Sequence, residues 1–231
     1  IKAMRPKQWV KNGLIFAALV FDRKIGYPAY LLDTILGVIL FSLIASAIYI
    51  INDISDVESD RRHPVKQHRP VASGALSIPA AWSVAVVLLL VGIGGAFWLA
   101  QNFAFLCLGY IVLNLGYSFY LKHIPLIDVL VLASFYLIRV AAGVMIIQVT
   151  RFSPWIYTAT IFLALFMGIG KRRTELLNNQ IAENNSRKVL SGYTLAYLDQ
   201  LLMIVLTCTI ITYSLYTFSA CLLYTSDAAD E

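Results

Sequence analysis

Long, almost unbroken apolar runs separated by short polar stretches organise this chain, and neither a strand alternation nor a heptad competes with them. About 20 apolar residues in a helix cross a bilayer core. Seven runs are read as spans, at roughly 10–21, 30–51, 80–100, 103–120, 126–147, 154–170 and 194–219. The first is short. It stops at Asp22-Arg23-Lys24, so it must extend toward Tyr27 or tilt to reach across. The intervening segments carry no soluble domain, low-complexity linker or repeat. The pattern predicts an all-α, polytopic transmembrane helical bundle.

Composition agrees with the pattern. The chain is 59% hydrophobic and 13% charged, with a mean hydropathy of +0.75. A water-soluble domain of this size needs more polar surface. The charges then give an orientation. Lys2, Arg5, Lys7 and Lys11 fall on one side with Arg61, Arg62, Lys66, Arg69 and Lys122. Lys171, Arg172, Arg173, Arg187 and Lys188 join them there. Arg23, Lys24 and Arg151 fall on the other side, and Arg139 lies within a span. Basic residues favour the cytoplasmic side, so the first group is expected there, in a multi-pass plasma-membrane protein. This basic excess is topological, and no nucleic-acid partner is expected. Cys107, Cys208 and Cys221 sit in or beside apolar runs without metal-ligand spacing, and read as small buried hydrophobes.

Candidate chemistry begins where the second run ends, at Asn52-Asp53-Ile54-Ser55-Asp56-Val57-Glu58-Ser59-Asp60. At roughly 100° per residue, Asp53, Asp56 and Asp60 fall within about 60° on a helix, while Glu58 points elsewhere. Like charges at a membrane edge repel unless a cation joins them. Hard Mg²⁺ with a phosphate-bearing substrate suits such oxygen ligands. Lys66 and Arg69 follow closely, as expected of bases that hold diphosphate oxygens. Loop charge alone accounts for much of Arg61 and Arg62, and His63 and His68 read as polar loop residues.

Two further segments lie on the same side. Tyr117 to Asp128 joins the fourth and fifth runs and contains Lys122. Arg139 follows Asp128 by eleven residues, so it shares that helix face roughly 16 Å deeper. At that depth it faces the protein interior, either to bind an anionic headgroup or to neutralise a structural carboxylate. Gly170-Lys171-Arg172-Arg173-Thr174-Glu175-Leu176 ends the sixth run. Such a cluster is either topogenic and lipid-facing or, through Lys171 and Arg172, a substrate contact.

The spacing Asn-Asp-x-x-Asp-x-x-x-Asp over Asn52–Asp60, followed by Lys66, Arg69 and Pro70, resembles the first signature of the UbiA superfamily of intramembrane prenyltransferases. The resemblance extends from about Met4 to Ala220. Met4–Asn12, Leu121–Asp128 with Arg139–Gly143, and Gly170–Leu176 are similar to the branch that transfers phosphoribose to decaprenyl phosphate. The resemblance implies nine spans around a cytoplasm-facing cavity, of which seven are read here. It implies Mg²⁺-dependent transfer of 5-phosphoribose from phosphoribosyl diphosphate to a polyprenyl phosphate, releasing diphosphate, to supply arabinose donors for cell-wall polysaccharide. The implied metal ligands are Asp53, Asp56 and Asp60, and the implied catalytic residues Asp53, Asp56 and Asp128. Asn52, Lys66, Arg69, Lys7, Lys11, Tyr117, Lys122, Arg139, Lys171 and Arg172 form the substrate-binding set. Self-association is compatible with this reading.

One departure bears on the substrate. Prenyl-diphosphate transferases of the superfamily carry a second Asp-x-x-x-Asp motif, but here Leu132 stands where the second acid belongs after Asp128. Transfer of a polyprenyl group to an aromatic or tetrapyrrole acceptor is the alternative enzyme reading. A cation transporter is the non-enzyme reading and requires acids at mid-membrane. At the other end of the chain, Cys221–Glu231 breaks the pattern of the last run and resembles a translated sequencing-adapter frame. The transferase domain is therefore expected over 1–220, with 221–231 a non-native tail.

Overall fold

Backbone buried in lipid has no water to bond, so long apolar runs close their hydrogen bonds internally as helices. The computed structural model describes residues 2–149, 154–182 and 192–227, with side chains at 2–149, 154–178 and 192–219. Arg151, Arg187 and Lys188 of the charge count, and the last four residues, lie outside the described residues. The described chain forms α1 (Phe16–Phe21), α2 (Pro28–Ser55), α3 (Val57–Arg61), α4 (Ile78–Leu99), α5 (Gln101–Phe119), α6 (Ile127–Ile147), α7 (Pro154–Ala182) and α8 (Leu195–Asp227). Among the described residues there is no strand. Two compact units divide the chain, Ile1–Ser118 with Ile138–Val149 and Phe119–Leu137 with Thr150–Glu231.

Among the described residues six helices are long and apolar enough to cross a membrane: α2, α4, α5, α6, and α7 and α8 over Pro154–Asn178 and Leu195–Ser219. The first expected span is not among them, which corrects the count of seven helical spans. Pro6–Ile15 winds as a 3₁₀ helix and only Phe16–Phe21 is α-helical. The tighter 3₁₀ coil rises about 2.0 Å per residue, so Pro6–Phe21 still reaches about 29 Å, close to a hydrocarbon thickness. Its three-residue period also explains its pattern. Trp9, Asn12, Ile15 and Ala18 recur on one row. Ile15 and Ala18 are fully buried, Trp9 Nε1 donates to Ser46 Oγ (3.0 Å), and Asn12 Nδ2 donates to Ser42 Oγ (2.8 Å). Lys7, Val10 and Gly13 form the exposed row.

In this first unit α2 packs along α4 and along the 3₁₀ segment. Small residues allow the approach. A Cβ at Gly92 of α4 would stand 2.6 Å from Ile44 Cγ1, and one at Gly143 of α6 would stand 2.1 Å from the Ile15 carbonyl oxygen. In the second unit α7 packs on α8 around Val129, Ile169, Tyr193, Leu198 and Val205.

Candidate functional site

In the first unit the signature acids stand where α2 gives way to α3. Asp56 is the joint, with φ −95° and ψ 6°. The Asp60 amide nonetheless donates to the Asp56 carbonyl at 2.8 Å, so the helical course nearly continues. Asp53 and Asp60 therefore share a face, and each is only 1% exposed. The loop beyond brings back a base. A 3₁₀ turn at Lys66–His68 ends at Arg69, whose extended backbone (φ −65°, ψ 145°) is what a following proline imposes. Arg69 Nη1 then donates to Asp60 Oδ2 at 2.6 Å and to Asp53 Oδ1 at 3.2 Å. Arg61 closes the loop by donating from Nε to the Ala72 carbonyl at 3.1 Å.

A second guanidinium reaches the same carboxylate. Arg5 Nη2 pairs with Asp53 Oδ1, and the Arg5 guanidinium lies 5.2 Å from the Tyr49 ring centroid. Its backbone is left-handed at φ 51° and ψ 60°. That conformation costs a non-glycine residue about 1–2 kcal/mol. Such strain clusters at active sites, ligand clamps and switch regions.

The arginines do not satisfy the acids. Asp53 Oδ2 and Asp60 Oδ1 are buried without a hydrogen-bond partner. Buried carboxylate oxygens are rarely left so. An all-oxygen set with unused lone pairs fits a hard divalent cation. Among the described residues no three His, Cys, Asp or Glu side chains are gathered as metal ligands. Asp56 lies about 60° off the row shared by Asp53 and Asp60, at the helix joint itself, and is half-buried.

The remaining residues of this unit sort by partner. Asn52 Oδ1 accepts from Ser118 Oγ at 2.9 Å, next to half-buried Tyr117. Lys66 is half-buried and His63 is exposed, its Nδ1 accepting from the Val65 amide at 3.2 Å. Lys7 and Lys11 are exposed on the 3₁₀ segment. Arg139 is buried. Its Nε donates to Asn12 Oδ1 at 2.9 Å, and its guanidinium lies 5.4 Å from the Phe41 ring centroid and 5.5 Å from that of Tyr110. An amide and two ring faces thus hold this cation, partners that neither reading of Arg139 anticipated.

The second unit holds a separate buried network. Asp128 Oδ2 accepts from Arg172 Nε at 2.5 Å, and Asp128 Oδ1 accepts from Tyr193 Oη at 2.6 Å. Arg172 Nη1 also donates to Glu175 Oε2 at 2.6 Å. The Leu126 amide donates to Tyr193 Oη at 2.6 Å, which holds Leu126 in its left-handed conformation at φ 66°. Burial and the bond to Asp128 push the Tyr193 phenol above its ordinary pKa. Both Asp128 oxygens are therefore engaged, and Arg172 is 1% exposed between two carboxylates. Lys122 is half-buried and Lys171 exposed.

Sequence reasoning missed Arg5, Asn12, Glu175 and Tyr193 as partners of these sites. The sequence reads Arg5 as topogenic charge within the Met4–Asn12 segment, with no partner assigned. Its signal was an arginine directly before a proline, ahead of the first apolar run.

Helices of membrane-spanning length, with buried, charge-paired carboxylates in each unit, fit the class of polytopic intramembrane enzymes. Among solved structures, a UbiA homolog from Archaeoglobus fulgidus bound to GPP and Mg²⁺ shares the fold. Its TM-score is 0.72 at 24% identity, covering 94% of this chain and 76% of that one. The UbiA prenyltransferase family matches residues 13–225, and the chain belongs to that family. Decaprenyl-phosphate phosphoribosyltransferase of Corynebacterium glutamicum is 37% identical over 94% of this chain and 67% of that protein. The enzyme of the same name from Mycobacterium tuberculosis is 38% identical over 94% of this chain and 73% of that protein. The protein is a multi-pass membrane transferase.

Proposed function

We propose that the protein transfers 5-phosphoribose from phosphoribosyl diphosphate to a polyprenyl phosphate, releasing diphosphate. The observation that carries this reading is the buried Asp53–Asp60 pair, with one unpartnered oxygen on each acid and Arg69 across both. The likeness to two decaprenyl-phosphate phosphoribosyltransferases supports these substrates. Asp53 and Asp60 would hold Mg²⁺, with Asp56 at the edge. When bound, that ion neutralises charge developing on the leaving diphosphate. Arg69 and Lys66 bind non-bridging oxygens of the donor, beside Asn52. The anomeric C–O bond breaks toward diphosphate, leaving an oxocarbenium-like carbon, and a phosphate oxygen of the lipid forms the new bond. That nucleophile is already anionic, so the reaction needs no general base, in keeping with the loop role of His63.

Lys7 and Lys11, exposed beside Val10, are suited to a lipid phosphate at the membrane edge. Asp128 acts by fixing Arg172 and Tyr193 rather than by touching substrate. The charge asymmetry supports a cytoplasmic site, where nucleotide-like diphosphates are available; the family resemblance implies a product that feeds arabinose donors for cell-wall polysaccharide. Labelled phosphoribosyl diphosphate incubated with polyprenyl phosphate should yield label in the lipid phase. Label that stays in the aqueous phase, while a polyprenyl diphosphate is consumed with an aromatic acceptor, would instead support prenyl transfer.

A further inference from the structure

Arg5 poses a problem that the proposed reaction does not absorb. Its guanidinium and that of Arg69 converge on one oxygen, Asp53 Oδ1, while Asp53 Oδ2 and Asp60 Oδ1 have no partner. Two cations crowd one atom beside two bare anionic oxygens. Each carboxylate has two oxygens able to accept, so donors spread over both acids would satisfy more of them. Arg5 differs from Arg69 in a second respect, its left-handed backbone before Pro6. Its side chain is also 30% exposed, against 1% for Asp53, so it can leave the acid without becoming buried elsewhere.

We propose that Arg5 is a donor-binding residue that changes partner during the reaction cycle. It pairs with Asp53 before substrate arrives. It moves to a non-bridging oxygen of the donor diphosphate when a divalent cation takes the carboxylates. The exchange swaps one charge-assisted bond for another, with no covalent step. In effect Arg5 competes with the cation in the resting protein and cooperates with it once the diphosphate is present. The inference rests on the assignment of Asp53 and Asp60 as cation ligands.

The two roles predict shifts of opposite sign when Arg5 is removed. Mn²⁺ binding to the detergent-solubilised protein is read by electron paramagnetic resonance without substrate. Phosphoribosyl diphosphate binding is read by calorimetry at saturating Mn²⁺. Arg5→Ala should tighten Mn²⁺ by about tenfold and weaken the diphosphate by about tenfold or more, the scale of one charge-assisted bond. Arg5→Lys keeps the charge and loses the planar fork, so it should leave Mn²⁺ affinity near that of the parent and still weaken the diphosphate. If Arg5→Ala does not fold, Arg5→Gln gives the same two readings.

Weaker binding of both ligands in the neutral variants, or no change in either, overturns the exchange. Absence of Mn²⁺ binding in the parent protein, or its persistence in Asp53→Asn, overturns the cation assignment itself and is read separately.

Discussion

At the scale of single residues, the acids of the signature are not equivalent. Asp53 and Asp60 are buried and bridged by Arg69, whereas Asp56 sits half-buried at the helix joint. Asp53→Asn and Asp60→Asn should each reduce transfer at least 100-fold and raise the Mg²⁺ concentration needed for half-maximal rate, on the scale of lost charge stabilisation. Asp56→Asn should cost less, and a rate-versus-Mg²⁺ series for the three variants checks the order. The second network predicts stability effects. Arg172→Ala leaves Asp128 buried without its cation and should destabilise the fold by about 3–5 kcal/mol. Tyr193→Phe removes one hydroxyl and should cost about 1–3 kcal/mol. Thermal melts in detergent separate the two. Spacing made Asp53, Asp60 and Arg69 legible, because seven residues return a helix to the same face and Pro70 stiffens the loop behind it. The partners Arg5 and Tyr193 were not legible. Each arrives from a distant part of the chain, and no local period encodes a contact 48 or 65 residues away.

At the scale of elements, the apolar runs predicted six helices well, since length and hydropathy suffice when backbone must bond to itself. They failed at the first segment, whose geometry is set by neighbours. Trp9, Asn12 and Ile15 repeat every three residues to meet Ser46, Ser42 and Gly143. A period of three in so short a run is hard to tell from one of 3.6 until the partner helix is known. The contact is tight enough to test. Gly143→Ala places a methyl 2.1 Å from the Ile15 carbonyl oxygen, so the backbone must shift. Overpacking of this kind costs about 1–3 kcal/mol, and the melting temperature should fall accordingly. Asn12→Ala should also destabilise, because Arg139 loses its 2.9 Å amide partner inside the bundle.

At the scale of the whole molecule, composition and charge asymmetry carried the class, and a motif carried the family. The site chemistry needed the fold, because burial decides which acids keep unused oxygens. The reaction proposed for this intramembrane transferase moves phosphoribose onto a lipid phosphate. The most direct measurement is a transfer assay with phosphoribosyl diphosphate labelled on the ribose, polyprenyl phosphate and Mg²⁺, run with the protein and its Asp53→Asn variant. Ribose label should appear in the lipid fraction in step with released diphosphate, and be lost on chelation and in the variant. Labelled lipid formed equally by the variant, or none formed by the active protein while it consumes a polyprenyl diphosphate, would contradict the proposed reaction.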